Sequence, residues 1–154
     1  MLRKIIIGLV ALFLLIQLIP VDRSNPPVTR EIAWDSAETR DLAVRACYDC
    51  HSNETVWPAY SYVAPISLIV GHHVEDGRAY LNFSEWDQPQ HAHEIIDVVE
   101  SGAMPLGSYL PLHPEADLTA AEKEALIAGL TATLANDPAI ERESGGHEHG
   151  DHDH

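Results

Sequence analysis

Cysteine and methionine are the scarcest chemistry in this chain of 154 residues. It has two cysteines, Cys47 and Cys50, and two methionines, of which Met1 is the initiator. Two cysteines so close together exclude a disulfide-built scaffold, because a bridge across so short a loop removes little freedom from the unfolded chain. Positive charge is also sparse. Nine Lys and Arg stand against 24 Asp and Glu, for a formal net charge of −15, and only seven of those cations follow residue 20. Such a surface repels nucleic acid and anionic lipid, and favours a protein partner with a basic docking face. Two phenylalanines and ten prolines predict a compact helical body rich in loops, whose side chains alone supply a meagre core. No strand-like run precedes Cys47.

What is present is concentrated in Cys47-Tyr48-Asp49-Cys50-His51. The pattern C-x-x-C-H is that of a c-type haem attachment site. Two thiols one helical turn apart reach the two vinyl groups on one edge of the porphyrin, and the following imidazole lies under the ring centre as proximal iron ligand. Cys47 and Cys50 are therefore expected to hold one covalent haem c, with His51 on iron. Two other readings use the same residues. A thioredoxin-type pair needs a βαβ context that the sequence does not offer. A zinc site with His51 and His72 or His73 sets adjacent Cys50 and His51 awkwardly for a tetrahedral ion.

In chain order, Arg3 and Lys4 precede an apolar run from Ile5 to Ile19 broken only by Gln17. Residues 1–21 read as a signal peptide or, since no small-x-small cleavage site follows, an uncleaved transmembrane anchor. The positive end stays in the cytoplasm and sends the remainder across the bacterial inner membrane into the periplasm. Residues 22–30 form a proline-stiffened linker expected to hold the domain off the bilayer. The haem domain is expected over residues 31–135. It comprises a helix over 36–46 capped by Ser36, a helix from Pro65 to about Tyr80, one between His91 and Ser101 ended by Gly102, and one over 121–134 opened by the capping box Thr119/Glu122. In the second of these, Ile66, Ile69, Val70, His73 and Val74 make the expected inner stripe.

Met104 before Pro105 is the strongest candidate for the distal iron ligand. Proline takes the methionine out of helical geometry and stiffens the backbone from which a thioether is aimed. His72 and His73 are alternatives, and His113 a lesser one. Trp57 and Tyr60 are expected at the haem edge, and Trp86 either closes over the haem or packs beneath the preceding helix. Residues 136–154 lose the apolar pattern. Their His147, His149, His152 and His154, alternating with acids, suit a solvated disordered tail or a weak zinc, copper or nickel site.

The order of these elements resembles the class I cytochrome c plan. More narrowly, Cys47 to His51, Trp57-Pro58, Tyr60-Ser61, Ala64-Pro65, Leu81-Asn82-Phe83-Ser84-Glu85-Trp86, Met104-Pro105 and His113-Pro114-Glu115-Ala116 resemble the bacterial haem-binding domain family of small c-type cytochromes, over about residues 40–132. The resemblance implies one covalent haem, His51 as proximal ligand and Met104 as distal ligand. Three functions follow. The first is a membrane-tethered periplasmic electron carrier rather than an enzyme, served by a redox partner with a basic face. The second is a haem-based sensor or peroxidase with an open sixth site, and the third a zinc- or copper-handling protein.

Overall fold

The computed structural model describes residues 1–142. The described chain is mostly helical: α1 spans Leu2–Ile16, α2 Ala37–Ala46, α3 Tyr48–His51, α4 Ile66–Tyr80, α5 Ile95–Glu100 and α6 Ala120–Asn136. Two-residue strands β1 (Pro89–Gln90) and β2 (Ile140–Glu141) pair in parallel.

The caps set the helix limits. The Ser36 side chain accepts from Thr39 N and opens α2, with Glu38 in the first turn and Arg45 in the last. These charges complement the helix dipole. Thr119 and Glu122 form both hydrogen bonds of a capping box and open α6. Gly102, at φ 75°, takes the left-handed conformation beyond the end of α5. The helix expected between His91 and Ser101 is divided, with a 3-10 turn over Ala92–Glu94 before α5.

α6 crosses α2 at Gly129. A Cβ there would stand 2.5 Å from Thr39 Cγ2, so the close approach requires glycine. The core lies beneath this crossing, where Leu42, Leu126 and Leu130 meet Phe83, Trp86, Ile95 and Val99. Phe83 stands 5.7 Å from Tyr48, 5.1 Å from Trp34 and 6.1 Å from Trp86, centroid to centroid. Trp86 is thus core, and its Nε1 donates to Asp137 O at 3.1 Å.

Four sequence expectations change. The apolar run from Ile5 to Ile19 is not one spanning helix. α1 ends at Ile16, and its 15 residues reach about 22 Å against a hydrocarbon core of about 30 Å. No helix among the described residues is long and apolar enough to cross a membrane. Residues 22–30 are not a free spacer: Asn25 Nδ2 donates to Thr55 O, and Arg30 N donates to Ser84 O. The body also runs past residue 135, since Asp137 is buried and β2 is paired. On α4 the expected stripe holds only in part: Val74 is buried and His73 half-buried, but the isoleucines of its first turn face out. Ser67, Val74 and Gly77 face inward while Ile66 and Ile69 are exposed, because the small side chains are what admit Val21 at Gly71 and Cys50 at Gly77.

Candidate functional site

Cys47, Cys50 and His51 form a single turn. Cys50 N and His51 N both donate to Cys47 O, at 3.2 and 2.9 Å, and this winds the two thiols and the imidazole around one side of α3. Both cysteines are free. Burial pushes the Cys47 thiol up to about 12, with Cys50 adding to it. Burial likewise pushes Cys50 to about 11, with Asp49 adding and Arg78 opposing. Both thiols are neutral at pH 7.

His51 is oriented by backbone. Its Nδ1 lies 3.0 Å from Gly77 O and 3.0 Å from Leu81 O. Carbonyls only accept, so Nδ1 carries the proton and Nε2 keeps a free lone pair, the tautomer a metal requires. Burial lowers the His51 pKa against the raising effect of those two carbonyls, so the ring is neutral. Gly77 makes this possible, since a Cβ there would stand 2.5 Å from Cys50 O.

The segment Leu81–Trp86 holds the motif from behind. Phe83 N donates to His51 O at 2.8 Å, Asn53 N to Ser84 Oγ at 2.9 Å, and Asn82 Nδ2 to Asn53 Oδ1 at 2.9 Å. Gln90 closes the web by accepting from Asn82 N at 2.8 Å. A loop can be buried only when its polar groups are paired in this way. Asp49 ties the other flank, accepting from Val56 N at 2.9 Å and from Tyr109 Oη at 2.6 Å. Burial, and next the bond to Asp49, raise the Tyr109 hydroxyl above its ordinary pKa.

In front of α3 is a cavity of about 790 Å³, within the range of cofactor sites. Cys47, Cys50, His51 and Met104 all line it, together with His73, Gly77, Tyr80, His91, Val98, Leu106 and Tyr109. A smaller apolar recess of about 80 Å³, with Phe83, Ile95 and Val99 on its walls, reaches inward from Cys47, His51 and Met104. Met104 is placed from α5, its N donating to Val98 O at 3.0 Å, and its peptide bond to Pro105 is cis. A flat apolar ring with two attachment points and an axial nitrogen fits these residues: thiols one turn apart, a bared imidazole nitrogen, a thioether on the same lining, and walls mostly of carbon.

Of the histidines, His73 is on the cavity lining and His72 is not. His72 Nε2 pairs with Asp76 at 3.1 Å on the exposed side of α4. His113 is buried against Tyr109 at 3.7 Å between centroids, and its Nε2 meets Tyr60 Oη at 2.9 Å. That bond occupies Tyr60 away from the cavity. Trp57 donates to Asn25 Oδ1 at 3.3 Å, and neither it nor Tyr60 is on the lining. Their aromatic character points to the haem edge, but Asn25 holds the Trp57 ring and His113 the Tyr60 hydroxyl. His147, His149, His152 and His154 lie outside the described residues. Among the described residues no three His, Cys, Asp or Glu side chains are gathered to hold a metal ion.

The sequence reading missed His91, Tyr80, Tyr109 and Arg142 as lining residues. Tyr80 carried a signal, because His73, Gly77 and Tyr80 share one face of a helix. His91 stacks on Tyr80 at 4.4 Å, and Arg142 arrives through the β1–β2 pairing, with Arg142 N donating to Gln90 O. No local pattern marks either one.

A family model described as a haem-binding domain matches residues 11–132. No curated protein and no solved structure matches the chain.

Proposed function

The chain belongs to the haem-binding domain family, and from that premise we propose that it is a mono-haem c-type electron carrier. Cys47 and Cys50 hold the ring by thioethers, His51 Nε2 is the proximal ligand and Met104 the distal one. The observation that carries this reading is the convergence of these four side chains on one cavity, with the His51 tautomer fixed by two carbonyls. The haem supplies a one-electron couple, and a thioether ligand biases it toward the reduced state relative to two imidazoles.

The chain's own residues give that couple its setting. Leu106, Val98 and the apolar recess face the ring with carbon, and a wall of low dielectric sharpens electrostatic effects on it. A lining that offers iron a second ligand favours transfer over substrate chemistry. The acid-rich surface suits a redox partner with a basic docking face. The run Ile5–Ile16 is apolar throughout and nothing in α1 is buried. We propose that it directs export to the periplasm and holds the protein at the inner membrane.

Two measurements test the carrier. Protein exported from a host with haem-attachment machinery is denatured and weighed, and the mass of one haem must remain with the polypeptide. The oxidised spectrum is then compared between wild type and Met104→Ala. The weak far-red sulfur–iron band is expected to vanish in the variant and to persist in His73→Ala and His91→Ala. A band that survives Met104→Ala excludes methionine ligation. Rapid carbon monoxide binding by the reduced wild type would favour the open-site reading, for which His73 and His91 on the lining provide candidate proton donors.

A further inference from the structure

Next to the cavity the domain carries an apolar face made of residues that do not line it. Between Thr55 and Gly71 the sequence contains no Asp, Glu, Lys, Arg or His. Tyr62, Val63, Ile66 and Ile69 of this stretch are 59, 47, 46 and 55% exposed. Ile66 and Ile69 stand one turn apart on α4. A contiguous apolar surface of this kind on an otherwise charged protein marks an interaction site.

The structure also shows what lies beside it. α1, apolar from Ile5 to Ile16 with none of its residues buried, is capped by Gln17. The Gln17 side chain donates to Ala64 O at 3.1 Å and accepts from Ala64 N at 2.9 Å, Ala64 being the buried residue between Val63 and Ile66 in the chain. Arg23 Nε then donates to Ser61 O at 2.7 Å, and its guanidinium sits 4.7 Å over the Tyr62 ring. Val21 rests against Gly71 on another side of α4, so the ties to this face are those of Gln17 and Arg23. The chain leaving α1 is sewn to this face without slack, so whatever takes up α1 meets the face as well.

We propose that the face formed by Tyr62, Val63, Ile66 and Ile69 docks on the lipid surface that takes up α1, holding the haem domain in one orientation. This rests on the proposed attachment of α1 to a bilayer. The chemistry of the face matches the boundary of a membrane. Val63, Ile66 and Ile69 enter the acyl margin, and Tyr62 lies at headgroup depth, where rings with one wet end settle. Arg23 beside it offers a guanidinium to a lipid phosphate. The strongly negative remainder of the chain directs the choice to zwitterionic lipid.

Full-length haem-loaded protein is reconstituted with phosphatidylcholine, and two properties are read: flotation with vesicles, and linear dichroism of the haem band in oriented multilayers. Wild type is expected to float and to show dichroism. Ile66→Glu/Ile69→Glu alters two exposed side chains and is expected to float still, with its dichroism reduced at least severalfold. Flotation of wild type without dichroism overturns the proposal while leaving membrane attachment intact, and so does a double variant with wild-type dichroism. Failure of wild type to float overturns the attachment and this proposal together. A wild-type dimer in detergent that the double variant abolishes, with no dichroism in lipid, assigns the face to a second copy and overturns it too.

Discussion

The His51 ring and the Gly77 backbone meet at 3.0 Å, Nδ1 to O, because no side chain stands between α4 and α3. One glycine thus serves the packing of two helices and the tautomer of the candidate proximal ligand. An alanine methyl at Gly77 must push against Cys50 O and Cβ, which are backbone and its first carbon and so cannot swing aside.

Gly77→Ala is therefore expected to lower stability by about 1–3 kcal/mol and to reduce the fraction of exported chains that carry haem. Gly107→Ala is the control, since a Cβ there meets nothing within 4 Å. Thermal melts and the haem-to-protein ratio of the two variants check this. Equal behaviour would show that α4 can retreat at no cost to His51.

Among the described residues, Arg142 is the one Lys or Arg on the lining of the larger cavity, beside acids that include Asp49, Asp76 and Glu94. A cation near the ring disfavours the oxidised iron and suits a propionate. Arg142→Ala is expected to lower the reduction potential by on the order of tens of millivolts and to change its pH dependence. Redox titration across pH measures both. An unchanged potential would confine Arg142 to its hydrogen bond with Pro89 O.

Acid is expected to destabilise the fold through identifiable carboxylates. Burial pushes Asp137 up, but hydrogen bonding from Ala33 N and the Arg30 guanidinium outweigh it and hold the pKa below its ordinary value. Its contribution is thus full above about pH 4, the unfolded value, and is lost as pH falls through the lowered folded value. Glu122 has the same sign. Arg45 first, and then Thr119, lower it from 4.5 to about 2. The difference in melting temperature between wild type and Asp137→Asn should shrink from pH 7 to pH 3. A constant difference would mean that the charge of Asp137 contributes nothing.

Electron exchange with a basic partner is expected to slow as salt rises, because a net charge of −15 steers the encounter over distances that about 0.15 M salt cuts to about 8 Å. Stopped-flow rates at several ionic strengths check this. A flat profile would sink the acidic docking surface.

Local pattern carried much of this protein. The spacing of Cys47, Cys50 and His51 wrote their display on one turn, since two backbone hydrogen bonds to Cys47 O suffice to form it. The caps Ser36 and Thr119 were equally legible, because a side chain and an amide three residues on make them. Met104 could be singled out by its scarcity and by Pro105. These features depend on contacts within a few residues, which a linear sequence preserves.

The tertiary structure alone decided what depends on neighbours distant in the chain. It paired His72 with Asp76 on the exposed side of α4 and brought the His73 side of that helix to the cavity, where Gly77 admits Cys50. It drew Trp57 and Tyr60 to Asn25 and His113. It brought His91 and Arg142 to a site the linear order keeps far from them. A helical stripe read from apolar residues assumes that large side chains face inward. Here Ser67 and Gly77 share the buried contact with Val74 while Ile66 and Ile69 remain outside, because close backbone approach at Gly77 fixes the seating of α4.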